Sequence, residues 1–156
     1  MQNRYPIDAD HILLEYPRPQ MVRASYVSLN GMWECAITDE PGIPDLYPYS
    51  ILVPFSPETK HSGLEKSVGV NQTLTYRRTF PMSLETDKRT LLHFEAVDHS
   101  CRVYLNDVCV GSHRGGYLPF HFDITDAVRQ DNELIVQVND PCDSKSIIRG
   151  KQAQTA

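Results

Sequence analysis

The residues of this chain best placed to do chemistry are carboxylates at the ends of apolar runs. Asp98 closes the run Leu91-Leu92-His93-Phe94-Glu95-Ala96-Val97 and opens a polar stretch. A carboxylate there can accept charge-assisted hydrogen bonds from two neighbouring hydroxyls of one ligand. It can equally cap its own turn. Further on, His113-Arg114-Gly115-Gly116-Tyr117 combines two glycines with an aromatic ring. Glycines let a backbone turn sharply or come close to a ligand, and Tyr117 offers both a ring face and a hydroxyl. The simpler reading of this block is a corner between strands, with Tyr117 packed and its hydroxyl satisfied. Asp123, just before Ile124-Thr125, suits a residue that accepts from nearby backbone donors. Asp140-Pro141 already reads as a turn, with Asp143 two residues beyond it.

The other reactive types are less organised. Cys35, Cys101, Cys109 and Cys142 form no Cys-x-x-Cys unit. Cys109 with His113, or His99 with Cys101, would be only half of a zinc site, which needs two such pairs. Free thiols, buried or half-buried, in a reducing cytoplasm are the plainer reading. Nothing in the sequence calls for a metal or a cofactor. Asn71-Gln72-Thr73 matches a glycosylation sequon, but the polar start Met1 to Asp10 does not resemble a secretion signal. The net charge of −5 argues against nucleic acid, because Arg77-Arg78 and Lys145 to Lys151 are too sparse for a phosphate-binding surface. No apolar run approaches the ~20 residues of a membrane span.

These side chains must be positioned by short strands. A chain of 156 residues suits one domain and buries enough surface to fold without staples. Pro6, Pro17 and Pro19 make residues 1–20 an extended arm. Asn30-Gly31 marks a turn before a strand that begins at Trp33, a core residue by its setting. Ile51 to Phe55 is a short strand stopped by prolines. In Leu74 to Phe80, Leu74, Tyr76, Arg78 and Phe80 share one face, and Thr75, Arg77 and Thr79 the other. Strands follow over Arg89 to Val97 and over Arg102 to Val110, the latter interrupted by a tight Asn106-Asp107 turn. Leu118 to Ile124 is the next strand, and Thr125 to Arg129 one helical turn with Thr125 as its N-cap. Glu133 to Asn139 comes last, with Leu134, Val136 and Val138 inward. About eight short strands without a long helix predict an all-β, antiparallel sandwich or jelly roll.

Several of these segments, taken in order, resemble a known family. They are Tyr16-Pro17-Arg18-Pro19-Gln20, Leu29-Asn30-Gly31-Met32-Trp33, Val53-Pro54-Phe55, Tyr76-Arg77-Arg78-Thr79-Phe80, and Phe94-Glu95-Ala96-Val97-Asp98. His113-Arg114-Gly115-Gly116-Tyr117-Leu118-Pro119-Phe120, Phe122-Asp123-Ile124-Thr125 and Arg149-Gly150-Lys151-Gln152 complete the set. Together they are similar to the N-terminal sugar-binding domain of glycoside hydrolase family 2, which includes β-galactosidases, β-glucuronidases and β-mannosidases. The Gly-Gly-Tyr-x-Pro-Phe block is the most specific of them.

The resemblance implies a jelly-roll β-sandwich of galactose-binding-domain-like topology over residues 21–143. Residues 144–156 would then lead to an immunoglobulin-like domain and a (β/α)₈ barrel that carries both catalytic glutamates. It also implies that Asp98 reaches the substrate and that Asp143 lines the sugar pocket, with Asp140 its rival by one step of register. Lys151 and Gln152 match a segment that approaches the active site in the family. Retaining hydrolysis needs two carboxyl groups about 5–5.5 Å apart, and no glutamate or aspartate here sits in a context that marks such a pair. The expected role is therefore a non-catalytic wall of a β-glycoside pocket. A free-standing carbohydrate-binding module and a purely structural docking sandwich are the alternatives. A domain parted from its neighbours would also expose apolar surface and could self-associate.

Overall fold

The computed structural model describes Ile12, residues 25–85 and residues 87–141. Eight strands are seen among them: β1 (Gly31–Thr38), β2 (Tyr49–Val53), β3 (Thr73–Pro81), β4 (Leu91–Phe94), β5 (Ser100–Leu105), β6 (Val108–Arg114), β7 (Phe120–Asp123) and β8 (Asp131–Asn139). The sole regular helical piece among the described residues is a 3-10 turn at Lys60–Ser62, capped by the Thr59 side chain. Six strands form one antiparallel sheet in the order β2-β1-β3-β8-β5-β6, and β4 pairs with β7 in a second. The expected all-β, antiparallel sandwich is what the chain forms. The expected arm over residues 1–20, apart from Ile12, and the segment 144–156 lie outside the described residues.

Alternation explains which face each strand buries. Leu134 and Val136 on β8, Leu74 on β3, Val103 and Leu105 on β5 and Trp33 and Cys35 on β1 form the core. Phe94, Phe120 and Phe122 of the smaller sheet pack against them. Phe94 stacks on Phe120 at 4.9 Å, and Phe120 stacks on His113 of β6 at 3.9 Å, which joins the two layers. Trp33 is a core residue, as its setting predicts, and its indole N–H donates to the Leu29 carbonyl at 2.8 Å. Asn106 and Asp107 take φ values of +50° and +69°, the left-handed pair that a two-residue hairpin demands.

Several expectations are corrected. Thr75 faces away from the core yet is fully buried. Ala36, Leu52 and Ile135 on the same outer face are buried too. Residues 39–48 fold back along this face, where Gln137 donates to the Gly42 carbonyl at 2.6 Å and the Arg77 guanidinium lies 4.2 Å from the Tyr47 ring centre. Alternation within one strand cannot foresee a loop that covers the far side. The strand expected over Leu118 to Ile124 is confined to Phe120–Asp123, and Leu118 is exposed. Thr125 does not cap the following turn. Asp123 does, accepting from the Thr125 N–H at 3.1 Å and its hydroxyl at 2.5 Å. Cys109 is exposed rather than buried or half-buried.

Candidate functional site

The pairing brings five strand ends to one rim of the sandwich. Phe94 at the end of β4 is opposite Phe120 at the start of β7. Ser100 at the start of β5 is opposite both Arg114, the end of β6, and Asn139, the end of β8. The loops 95–99 and 115–119 therefore leave the same rim side by side, and β8 delivers Asp140 to it.

Within this rim, Asp98 rests directly on Gly116. A Cβ placed on Gly116 would lie 2.6 Å from the Asp98 Cγ and 3.0 Å from its Cβ, so no larger residue fits without moving the aspartate. Gly115, at φ +119°, turns the chain into that position. Its N–H donates to the His99 carbonyl at 2.7 Å, and its carbonyl meets the His113 Nε2 at 3.1 Å. The two loops are thus fastened by backbone, while the Asp98 carboxylate is exposed. Among the described residues no hydrogen bond caps it, so its oxygens keep their accepting capacity. That arrangement suits a carboxylate receiving hydroxyl protons better than one that closes its own turn.

Tyr117 is 80% exposed and Leu118 70%, which overturns the expectation of a packed Tyr117. Its ring stands at the loop tip, one residue from the glycine that holds Asp98. Asp140 is half-buried at the end of β8 and already engaged. Asp143, Lys151 and Gln152 lie outside the described residues. Asp123 does what its position predicts: its carboxylate binds Thr125 and also Arg89, at 2.6 Å. The Thr125 hydroxyl and the Arg89 guanidinium hold its pKa down at about 2.

Sequence reasoning missed a polar chain along the same rim. The Ser100 hydroxyl donates to the Asn139 carbonyl at 3.0 Å, and the Asn139 amide donates to the Gln72 carbonyl at 2.9 Å. Gln72 donates in turn to Asp39 at 3.1 Å. These residues come from four separate segments, and only the strand pairing assembles them. Among the described residues no group of three or more His, Cys, Asp or Glu side chains could hold a metal, and no helix is long and apolar enough to cross a membrane.

Comparison with known proteins gives this geometry a context. The family model of the glycosyl hydrolase 2 galactose-binding domain-like type matches residues 57–155. A β-galactosidase of Thermoanaerobacter pseudethanolicus is 40% identical over 68 residues, covering 41% of this chain and 9% of that protein. A β-glucuronidase of Paenibacillus borealis is 27% identical over 150 residues, covering 87% of this chain and 24% of that protein. Among solved structures, the Bifidobacterium dentium β-glucuronidase complexed with coumarin-3-O-glucuronide superposes with a TM-score of 0.57 at 32% identity, over 71% of this chain and 19% of its own. The Ruminococcus gnavus β-glucuronidase in complex with D-glucuronic acid gives 0.62 at 27%, over 76% and 23%. The chain thus spans no more than about a quarter of any of these relatives. It belongs to the glycosyl hydrolase 2 galactose-binding domain-like family.

Proposed function

We propose that this chain is the non-catalytic N-terminal sugar-binding domain of a retaining β-glycosidase of the β-galactosidase or β-glucuronidase type. Its rim would border the substrate pocket of the longer enzyme, with the jelly roll ending near residue 143 and residues 144–156 leading to the remaining domains. The observation that carries the proposal is the Asp98 carboxylate, exposed, uncapped among the described residues and lying directly against Gly116. Such a group accepts from two adjacent sugar hydroxyls and holds the ring in register. Positioning of that sort acts on transition-state geometry, while bond cleavage belongs to carboxyls elsewhere. Tyr117 supplies an exposed ring beside Asp98 for a sugar face. Asp143, Lys151 and Gln152 are proposed as further contacts on the motif match alone. The free thiols Cys35, Cys101 and Cys109 support a reducing compartment, the cytoplasm.

The test compares chromogenic β-glucuronides and β-galactosides on this chain and on a longer polypeptide that contains it. The isolated chain should release no chromophore. In the longer polypeptide, Asp98→Ala should cut kcat/KM by about a hundredfold or more with unchanged melting. Full activity of that variant would refute the role proposed for Asp98. Exposed Tyr117 also favours a binding module, and titration of the isolated chain with the same sugars decides that point. Saturable binding lost in Tyr117→Ala would support the module.

A further inference from the structure

The outer face of the β4–β7 ribbon carries two histidines that sequence spacing could not connect. His93 and His121 are 28 positions apart, yet they are direct cross-strand partners. Both are exposed, and their ring centres are 5.2 Å apart with the planes inclined at 36°. Their strand neighbours Leu92, Phe94, Phe120 and Phe122 point the other way into the core, which fixes both histidines on the outward side.

We propose that His93 and His121 form a two-histidine site for a first-row transition-metal ion of the nickel or copper(II) class. Imidazole is a favoured ligand of these ions, whereas calcium and magnesium take oxygen. Two imidazoles sharing one ion at about 2.0–2.1 Å from each nitrogen have ring centres about 5 Å apart, which is the spacing seen. Binding then requires each ring to turn one nitrogen toward the ion. His93 also makes a contact of its own elsewhere in the chain. An imidazole has two nitrogens, and a metal-binding histidine normally engages a protein partner through the second one. No third side-chain ligand joins the pair among the described residues, so water completes the shell and affinity falls below that of a closed site. The ion would staple β4 to β7, the strands from which the loops carrying Asp98 and Tyr117 spring.

The experiment is calorimetric titration of the tag-free chain, in a Cys109→Ser background, with nickel chloride, paired with thermal melts with and without nickel. The expected result is one ion per chain, a rise in Tm on nickel addition, and at least tenfold weaker binding in both His121→Asn and His93→Asn. Magnesium chloride should produce neither heat nor a Tm shift. Equal nickel affinity in the two variants would overturn the proposal, whatever other group then held the ion. So would the absence of any nickel binding by a chain whose circular dichroism shows it folded.

Discussion

Gly116→Ala tests the rim at its tightest contact. An added methyl would lie 2.6 Å from the Asp98 Cγ and 3.0 Å from its Cβ. Carbon atoms rest at about 3.5–4.0 Å, so the overlap is about 1 Å. Gly116 is not among the positive-φ glycines, so its backbone accepts alanine without strain. Overpacking of this kind costs about 1–3 kcal/mol. The stiffer unfolded chain returns about 0.4–1 kcal/mol, and the exposed Asp98 can swing aside. The net loss should be about 1 kcal/mol. Urea denaturation of the isolated chain, followed by Trp33 fluorescence, would measure it. The decisive comparison is a double-mutant cycle with Asp98→Ala, which removes the carboxylate carbon and leaves only the milder Cβ contact. Gly116→Ala should then cost nothing or stabilise, giving a coupling of about 1 kcal/mol. In a longer, active polypeptide the single variant should shift Asp98 by about 1 Å and lower kcat/KM by about a hundredfold. An equal cost of Gly116→Ala in both backgrounds would refute the contact. Full activity beside an inactive Asp98→Ala would refute the idea that Gly116 holds the aspartate in place.

Acid titration should single out Asp123. Its carboxyl is held down at about 2 by Thr125 and Arg89, so its contribution is complete above the ordinary carboxylate value and disappears as pH falls through about 2. Urea midpoints between pH 5 and pH 2 should drop less steeply in Asp123→Asn than in the wild type, and parallel curves would contradict the pairing. Asn132 is buried and accepts from the Arg129 N–H at 2.8 Å and from Asn106 at 3.0 Å, while donating to the Arg129 carbonyl at 2.7 Å. Asn132→Ala orphans these groups and should cost about 2–4 kcal/mol by chemical denaturation; a loss under 1 kcal/mol would show that the network is dispensable. Thiol labelling of the native chain should modify exposed Cys109 quickly. Cys35 and Cys101 are buried, and burial pushes the Cys35 thiol up to about 11, so both should react only on unfolding.

Strand order along the chain could be read because each strand carries its own instruction. Leu134, Val136 and Val138 recur at every second position between Glu133 and Asn139, and their inward placement follows from that period even though apolar Ile135 stands between the first two. Asn106-Asp107 announces its turn because few other pairs accept two positive φ values. Thr75 shows where local reading stops. Its outward direction was legible, but its burial depends on what lies over the outer face, and the residues 39–48 that approach this face resemble any polar loop in sequence. Tyr117 fails for a related reason. A tyrosine between Gly116 and Pro119 looks like a corner residue, and only the lengths of β6 and β7 place it at an exposed loop tip. The contact of Asp98 with Gly116, 18 positions later, arises because β4 meets β7 while β5 meets β6.

The two ends of the sandwich differ in what their polar groups have left to offer. At the end formed by the Asn106-Asp107 turn and the start of β8, Asn106 and Asn132 bond to each other and to the backbone of four residues: Ala127, Glu133, Arg129 and Phe80. Their capacity is spent on closing the fold, which is what buried amides usually do. At the rim, the backbone groups of Gly115 and His99 fasten the loops, and the Asp98 carboxylate is left out of that work. A pocket that binds a small molecule tightly covers about 70–90% of its surface. Asp98 and Tyr117, both exposed, can touch a sugar from one side only. A carboxylate with its accepting capacity unspent, on a surface this open, makes physical sense when a second wall faces it. On that argument the isolated chain should bind monosaccharides at best weakly. Asp98→Ala should have its full effect only where the second wall is present, and an equal effect on both forms would place the whole binding site within this domain.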